Sequence, residues 1–177
     1  TSVMQQDAFN KLNFSASKTM KIAQKLYEGV ELGEEGGVGL ITYMRTDSVR
    51  ISDDAMTELK KYVLEKYGPK YAPETPFVYK AKKSAQEAHE AIRPTLPLRE
   101  PNSVAAYLSP DEMKLYTLIW KRFVASQMQT AVYSVLAVHI NAGEYVFRAG
   151  GTDLVFDGFL RVYKEFGTIE DEEIPAE

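Results

Sequence analysis

Two short strings in this sequence hold side chains that could act on a phosphodiester. The first runs from Thr42 to Ser48 and reads TYMRTDS, with Tyr43 two residues before Arg45. A phenol is a weak nucleophile at neutral pH because its pKa is about 10. A neighbouring guanidinium stabilises a phenolate and can bind a phosphate oxygen. The pair favours nucleophilic attack by Tyr43 on a phosphodiester. The alternative is a partly buried tyrosine, one of 11 in the chain, beside a solvated arginine.

The second string runs from Gln86 to Thr95 and reads QEAHEAIRPT. On a helix, Gln86, His89 and Arg93 would share one face, because they are three and four residues apart. An amide, an imidazole and a guanidinium can all donate hydrogen bonds to phosphate. Arg93 would lie near the helix end and reach outward. The alternative is a solvated polar face with a cation at the end of the helix.

Helical periodicity and capping signals indicate which elements position the first string. Residues 3–12 have a helical pattern, with Ser2 and Gln5 as a capping box. A second helix is predicted between Ser15 and Gly29, and a third between Ser52 and Gly68. The acidic, glycine-rich residues 31–39 predict a loop, and residues 40–45 predict a short strand. On that strand Tyr43 and Arg45 would project from the same face.

The second string lies between segments that contain several prolines. Residues 69–83 predict an extended segment, and residues 94–108 predict a loop. A capping box at Ser84 opens the helix that would carry His89, and Pro94 must end it. Ser109, Pro110 and Glu112 then form a strong helix start. The helix that follows has a broad apolar face.

Near residue 130 the pattern changes from helical to β. Residues 131–140 predict a strand, residues 141–143 a turn, and residues 145–163 a return strand with further strand and turn. The charge run at 170–173 predicts a solvated tail. We therefore expect an α+β fold, with a mostly helical domain over residues 1–129 and an incomplete antiparallel β domain over 130–177. Three strands would leave unpaired edges, which, with a helix signal at the first residue, indicates a piece of a longer protein.

Composition excludes several classes of site. The formal net charge is −4, but residues 1–128 carry a net +2 and residues 129–177 a net −6. This small excess gives no indication of nucleic-acid binding by itself. The absence of cysteine and the presence of only two histidines exclude disulfides and a structural zinc site. With no apolar run of about 18 residues and no signal peptide, we expect a cytoplasmic protein.

Both strings resemble the signature segments of type IA DNA topoisomerases. The first is similar to the family's active-site segment, with its Thr-Tyr-x-Arg-Thr-Asp-Ser pattern, and the second to its Ala-His-Glu-Ala-Ile-Arg-Pro segment. They occur in the family's order, about 40 residues apart. Residues 5–29 and the string FDGF at 156–159 also resemble segments of the family. Met44, after the tyrosine, is more like the bacterial topoisomerase I branch than the topoisomerase III or reverse gyrase branches.

The resemblance implies a function and a set of roles. The parent enzyme would cleave one DNA strand, pass a strand and religate, which relaxes negative supercoils without ATP. Tyr43 would form a 5′-phosphotyrosine link, Arg45 would position the tyrosine and the phosphate, and His89 would contact a backbone phosphate. Arg93 would support the same DNA-binding surface. Supporting roles fall to the remaining motif residues, Thr46, Asp47, Ser48 and Gln86. The expected partners are single-stranded DNA and the remaining domains of the parent chain, and the expected location is the cytoplasm, in association with the nucleoid.

The same resemblance implies a part of the active site that this chain lacks. In the family, a Toprim domain supplies acidic residues that hold Mg²⁺ and a glutamate beside the scissile bond, but no Asp-x-Asp string occurs here. We therefore expect Mg²⁺ to bind outside this chain, with no metal bound within it. The β segment would form part of the family's arch. The chain alone should not relax DNA.

Two alternatives come from other functional classes. A non-catalytic module for single-stranded DNA could use Arg45, His89 and Arg93 together with stacking aromatic side chains. A relaxase-type tyrosine nickase would need closely spaced histidines for its metal, whereas His89 and His139 are 50 positions apart. A purely structural piece also fits the sequence.

Overall fold

The computed structural model describes residues 1–79 and 89–164. Its α-helices are α1 (Ser2–Leu12), α2 (Ala16–Glu28), α3 (Asp53–Tyr67), α4 (Pro101–Val104) and α5 (Pro110–Ala125). Its strands are β1 (Val30–Glu31), β2 (Gly37–Val38), β3 (Val132–Ala142) and β4 (Tyr145–Phe156). The fold is α+β, as predicted.

Helices α1 and α2 form a helical pair at the start of the chain. Ser15 caps α2 as predicted, its hydroxyl accepting a hydrogen bond from the Lys18 backbone N–H at 3.2 Å. Gly29 ends α2 with a positive φ of 134°. The predicted capping box of α1 is wrong, because the cap is Thr1 and it makes no side-chain capping bond. The Thr1 hydroxyl bonds instead to the backbone of Met44 and Thr46.

Helix α5 packs against α1 and α2 and forms the centre of the core. The predicted capping box is present, with the Ser109 hydroxyl and the Glu112 carboxylate each bonded to the other's backbone N–H. Glu112 is buried and also pairs with Lys25 of α2. This one carboxylate therefore starts α5 and joins it to α2. The predicted apolar face is buried, with side chains that include Leu115, Tyr116, Ile119, Phe123 and Val124.

Helix α3 completes the helical body. Ser52 precedes it and Gly68 ends it, as predicted. Tyr62 of α3 packs edge-on against Trp120 of α5, with ring centroids 5.7 Å apart. Residues 69–79 contain no helix or strand, but turns and bends over 69–75 replace part of the predicted extended segment, while 80–83 lie outside the described residues. The predicted loop 94–108 contains the short helix α4 and a 3₁₀ turn.

The predicted loop at 31–39 contains regular structure. Strands β1 and β2 pair antiparallel across it, with Val30 opposite Val38 and Glu31 opposite Gly37. A 3₁₀ turn at Gly33–Glu35 connects them. The glycines therefore allow a tight hairpin rather than an open loop.

Strands β3 and β4 form a long antiparallel ribbon that projects with both faces largely exposed. Val138 lies opposite Ala149, and Gly143 and Glu144 make the turn. The prediction of further strand at 159–163 is wrong. Gly158–Arg161 is a 3₁₀ turn, in which Leu160 is buried, and Tyr163 is buried just after it.

Residues 157–163 return the chain from the ribbon to the helical body. The Tyr163 hydroxyl donates to Asp7 of α1 at 2.6 Å and accepts from Arg122 of α5 at 3.0 Å. Burial, followed by the bond to Asp7, raises the pKa of Tyr163 to about 12. The ribbon therefore leaves and re-enters one helical body. The predicted division into domains at 129/130 stays a prediction, and the tail at 170–173 lies outside the described residues.

No helix in the described ranges has the length and apolar character needed to cross a membrane.

Candidate active site

The segment that carries Tyr43 passes the end of helix α2. The Leu40 N–H donates to the Leu26 carbonyl at 2.7 Å. A Cβ atom at Gly39 would lie 2.7 Å from the Tyr27 carbonyl oxygen, so only glycine allows this approach. Leu40, Ile41 and Met44 are buried in the core. The backbone on both sides of Tyr43 is thus anchored to the helical body.

Residues 40–45 do not form the predicted strand. The only β contact made by this described segment is an isolated bridge between Ile41 and Pro94. Proline has no N–H, so a regular ladder cannot continue there. Tyr43 and Arg45 therefore do not share the face of a strand, contrary to the prediction, and the structure leaves Tyr43 half-buried but Arg45 exposed.

Residues 89–93 do not form the predicted helix, whose start at Ser84 lies outside the described residues. Instead they lie alongside the Tyr43 segment. The Thr42 N–H donates to the Arg93 carbonyl at 2.9 Å, and the Thr95 N–H donates to the Leu40 carbonyl at 3.0 Å. The Ala91 N–H donates to the Arg50 carbonyl at 2.7 Å. These long-range bonds replace the helical bonds that the local sequence favours.

The turn after Tyr43 is held by the first residue of the chain. The Thr1 hydroxyl donates to the Met44 carbonyl at 2.7 Å and accepts from the Thr46 N–H at 3.1 Å. The Thr46 hydroxyl then accepts from the Ser48 N–H at 3.0 Å. Asp47 is exposed and Ser48 is half-buried. The chain direction at Arg45 is thus set by side-chain hydroxyls rather than by a strand.

The Tyr43 ring lies between two other rings. The Tyr27 ring meets it edge-on, with centroids 5.4 Å apart, and the His89 ring meets it tilted at 55°, also at 5.4 Å. Such geometries are favourable for aromatic pairs. The structure therefore brings together Tyr43 of the first string and His89 of the second.

Nδ1 of His89 is buried and has no hydrogen-bond partner among the described residues. Within the same ranges, the Tyr43 hydroxyl and the Arg45 guanidinium also form no hydrogen bond or ion pair. Tyr43 and Arg45 thus have polar groups that no described residue occupies, whereas Nδ1 of His89 is unpaired but buried.

Arg93 does not reach outward, contrary to the prediction. Its side chain is buried, with 9% of the residue exposed. The guanidinium donates to Glu90 at 2.7 Å, to the Pro94 carbonyl at 2.8 Å and to the Ser52 hydroxyl at 3.3 Å. The ion pair with Glu90 holds it there. The position of Gln86 lies outside the described residues.

Two residues of the site were missed by the sequence reasoning. Tyr27 is spaced at helical intervals from the apolar side chains of α2, and nothing in the local pattern distinguishes it from a core residue. Thr42 is part of the first motif, but its hydroxyl bonds to residues 91 and 93, about 50 positions away. Neither contact has a local sequence signal.

The donor set here does not fit a metal ion. Nowhere in residues 1–79 and 89–164 do three or more histidine or acidic side chains cluster closely enough to bind one.

A family model described as DNA topoisomerase matches residues 1–176. The chain belongs to the type IA DNA topoisomerases. Among curated relatives of this topoisomerase chain, DNA topoisomerase 1 of Xylella fastidiosa (strain Temecula1 / ATCC 700964) is 58% identical over 167 residues. DNA topoisomerase 1 of Rickettsia conorii (strain ATCC VR-613 / Malish 7) is 50% identical over 176 residues.

Solved structures agree with this assignment to the topoisomerase I branch. Full-length topoisomerase I from Thermotoga maritima, in a monoclinic crystal form, has a TM-score of 0.80 and 43% sequence identity. It covers 100% of this topoisomerase chain, which spans 28% of that protein. The chain likewise spans 20% of the Xylella relative and 23% of the Rickettsia relative.

Proposed function

We propose that Tyr43 is the nucleophile with which the parent topoisomerase cleaves one DNA strand. The observation that carries this proposal is the placement of its half-buried ring between Tyr27 and His89, on backbone anchored on both sides. A nucleophile must be held near its attack geometry, and misplacement by 1 Å can cost about 100-fold in rate. A rigid loop with an unengaged phenol hydroxyl meets that requirement.

The chemistry is an exchange of phosphodiesters. The Tyr43 hydroxyl loses its proton and bonds to phosphorus, while the bond from phosphorus to the 3′ oxygen breaks and that oxygen gains a proton. The product is a 5′-phosphotyrosine link, and the reverse step religates the strand after another strand has passed. The bond energy is retained, so relaxation of negative supercoils needs no ATP.

Arg45 and His89 would meet the scissile phosphate and its neighbours. Arg45 is exposed beside the nucleophile, and Nδ1 of His89 lies without a partner in the described part of the chain. Charge-assisted hydrogen bonds from such groups stabilise a phosphoryl transition state. Asp47, Ser48 and Gln86 would shape the DNA-binding surface. Arg93, turned inward, would support that surface from behind.

The other half of the site would come from the rest of the parent chain. We propose that its Toprim domain binds Mg²⁺, as the family resemblance implies. Within residues 1–79 and 89–164 no group of three or more histidine or acidic side chains could hold the ion. The ribbon of β3 and β4 would belong to the arch. The isolated chain would then be inactive by itself.

A covalent-capture experiment tests the proposal. The parent enzyme, with labelled single-stranded DNA and Mg²⁺, should form an adduct at Tyr43 that Tyr43→Phe abolishes. Tyr27→Phe is the matched control, because it removes the neighbouring hydroxyl while keeping the ring, and it should retain the adduct. The isolated chain should leave a negatively supercoiled plasmid unrelaxed.

Three results would contradict parts of this proposal. An adduct that maps to another tyrosine would overturn the assignment of Tyr43. Full activity of Tyr43→Phe would instead support the non-catalytic single-stranded DNA module. Plasmid relaxation by the isolated chain with Mg²⁺ would refute the proposed dependence on the remaining domains.

A further inference from the structure

We propose that Thr42 is a positioning residue that fixes His89 relative to Tyr43. The inference rests on the proposed function, since it assigns a role in the same reaction. Thr42 immediately precedes the nucleophile, and its hydroxyl bonds to the segment that follows His89. It therefore joins the two motifs through one side chain.

The Thr42 hydroxyl uses both its donor and its acceptor capacity on this segment. It donates to the Ala91 carbonyl at 2.7 Å and accepts from the Arg93 N–H at 3.0 Å. The Thr42 backbone N–H also donates to the Arg93 carbonyl at 2.9 Å. The register between the two segments is thus set at residue 42.

No regular ladder could replace these bonds. The neighbouring contact is an isolated bridge to Pro94, which lacks an N–H, and the Ala91 N–H is already bonded to the Arg50 carbonyl. Without the hydroxyl, the Ala91 carbonyl and the Arg93 N–H would lose these partners. Buried backbone groups left unpaired are costly, so the segment would shift to find others.

The His89 imidazole itself makes few of the described contacts, so its position follows the backbone of its segment. Its ring packs on Tyr43 at 5.4 Å, and its Nδ1 has no hydrogen-bond partner in the described ranges. A shift of residues 91–93 would therefore move the imidazole with respect to the phenol. The Thr42 hydroxyl belongs to the residue before Tyr43 and bonds directly to the segment that carries His89, so it links the backbone supports of the two rings.

The test measures single-turnover adduct formation by the parent enzyme at saturating single-stranded DNA. Thr42→Val keeps the shape but removes the hydroxyl, and we expect the rate to fall about tenfold, the equivalent of one to two lost hydrogen bonds. Thr42→Ser keeps the hydroxyl and should stay within about twofold of the wild type. The thermal midpoint of each variant reports folding.

A double-mutant cycle separates this role from a purely structural one. In the His89→Ala background, Thr42→Val should slow the reaction by less than about twofold, because its effect acts through His89. If the double variant were slowed by the product of the two single fold-decreases in rate, the two residues would act independently, and the inference would be overturned. A Thr42→Val rate equal to that of the wild type would also overturn it.

A further variant covers the case in which Thr42→Val does not fold. Thr42→Cys offers only a weak donor, so its rate should lie below that of Thr42→Ser. Equal rates for the two would refute the positioning role. Failure of the proposed function looks different, since the wild-type enzyme itself would then form no adduct at Tyr43.

Discussion

Arg93 stabilises the back of the candidate site through a buried guanidinium. Its hydrogen bonds reach Glu90, Ser52 and the carbonyls of Pro94 and Thr95. It therefore ties the His89 segment to the start of α3. A guanidinium suits this position because its donors diverge in a fixed plane, which an ammonium cannot match.

Replacing Arg93 should affect stability first. Arg93→Ala would leave the Glu90 carboxylate partly buried and unpaired, and we expect the free energy of unfolding to fall by about 3 kcal/mol. Arg50→Ala, at an exposed arginine, is the control and should change it by less than about 0.5 kcal/mol. Denaturant unfolding of both variants measures this. An Arg93→Ala variant as stable as the wild type would contradict this structural role and favour the predicted outward, DNA-contacting role.

The elements differ in how locally they are determined. Helices α2 and α5 follow from signals within a few residues, such as Ser15 before α2 and Ser109 with Glu112 before α5. Their positions were therefore predictable from the sequence.

Burial alone would raise the pKa of the Glu112 carboxyl, but bonds from Lys25 and Ser109 outweigh it and hold that pKa below its usual value.

The lowered pKa of Glu112 predicts a pH-dependent contribution to stability. A depressed carboxyl pKa stabilises the fold above the unfolded value, about 4.5, and this contribution is lost as the pH falls through the folded value. Glu112→Gln should therefore lower the free energy of unfolding by about 1 kcal/mol at pH 7.

Below the folded pKa of Glu112, the wild type and Glu112→Gln should converge in stability, because the wild-type carboxyl is then neutral too. Glu58→Gln, on the exposed face of α3, serves as the control and should match the wild type throughout. Unfolding curves collected from pH 7 down to about 3 measure the difference. A gap between Glu112→Gln and the wild type that persisted at the lowest pH would contradict the assignment.

The segments that carry the site were not predictable in the same way. The local pattern favoured a strand at residues 40–45 and a helix through residue 93. The observed backbone depends on bonds between residues 1 and 46, 42 and 93, and 50 and 91. Such partners are about 40–50 positions apart, beyond the reach of periodicity or capping arguments. The motif strings identified Tyr43 and His89, but only the fold shows that their rings touch.

At the scale of the whole molecule, the ribbon of β3 and β4 is inserted between two segments that both pack in the helical body. The Phe159 N–H donates to the Gln129 carbonyl at 2.9 Å, which closes the base of the ribbon. Gly158 lies in this base with a φ of +47°. A Cβ atom there would lie 2.4 Å from the Gln129 oxygen and 2.6 Å from backbone atoms of Thr130. The base therefore requires glycine for two separate reasons.

Gly158→Ala should consequently open or strain the base. We expect a loss of about 2 kcal/mol or more in the free energy of unfolding, from the backbone conformation and the overlap together. Gly143→Ala, at the ribbon turn, has a similar φ of +62° but no atom within 4 Å. It should lose only about 1 kcal/mol, from the conformation alone. Equal losses for the two variants in denaturant unfolding would show that the overlap is relieved without cost.

The closed base also has a mechanical consequence. Strands of 11 and 12 residues make a lever about 35 Å long, at about 3.3 Å per residue. Any force applied at the turn reaches the helical body as a torque across residues 129 and 158–159. The Gln129 N–H donates to the Tyr71 carbonyl at 2.7 Å, and this bond connects the base of the ribbon to the segment that follows α3. The stiffness of the joint between lever and body is therefore set by a few backbone bonds around Gly158.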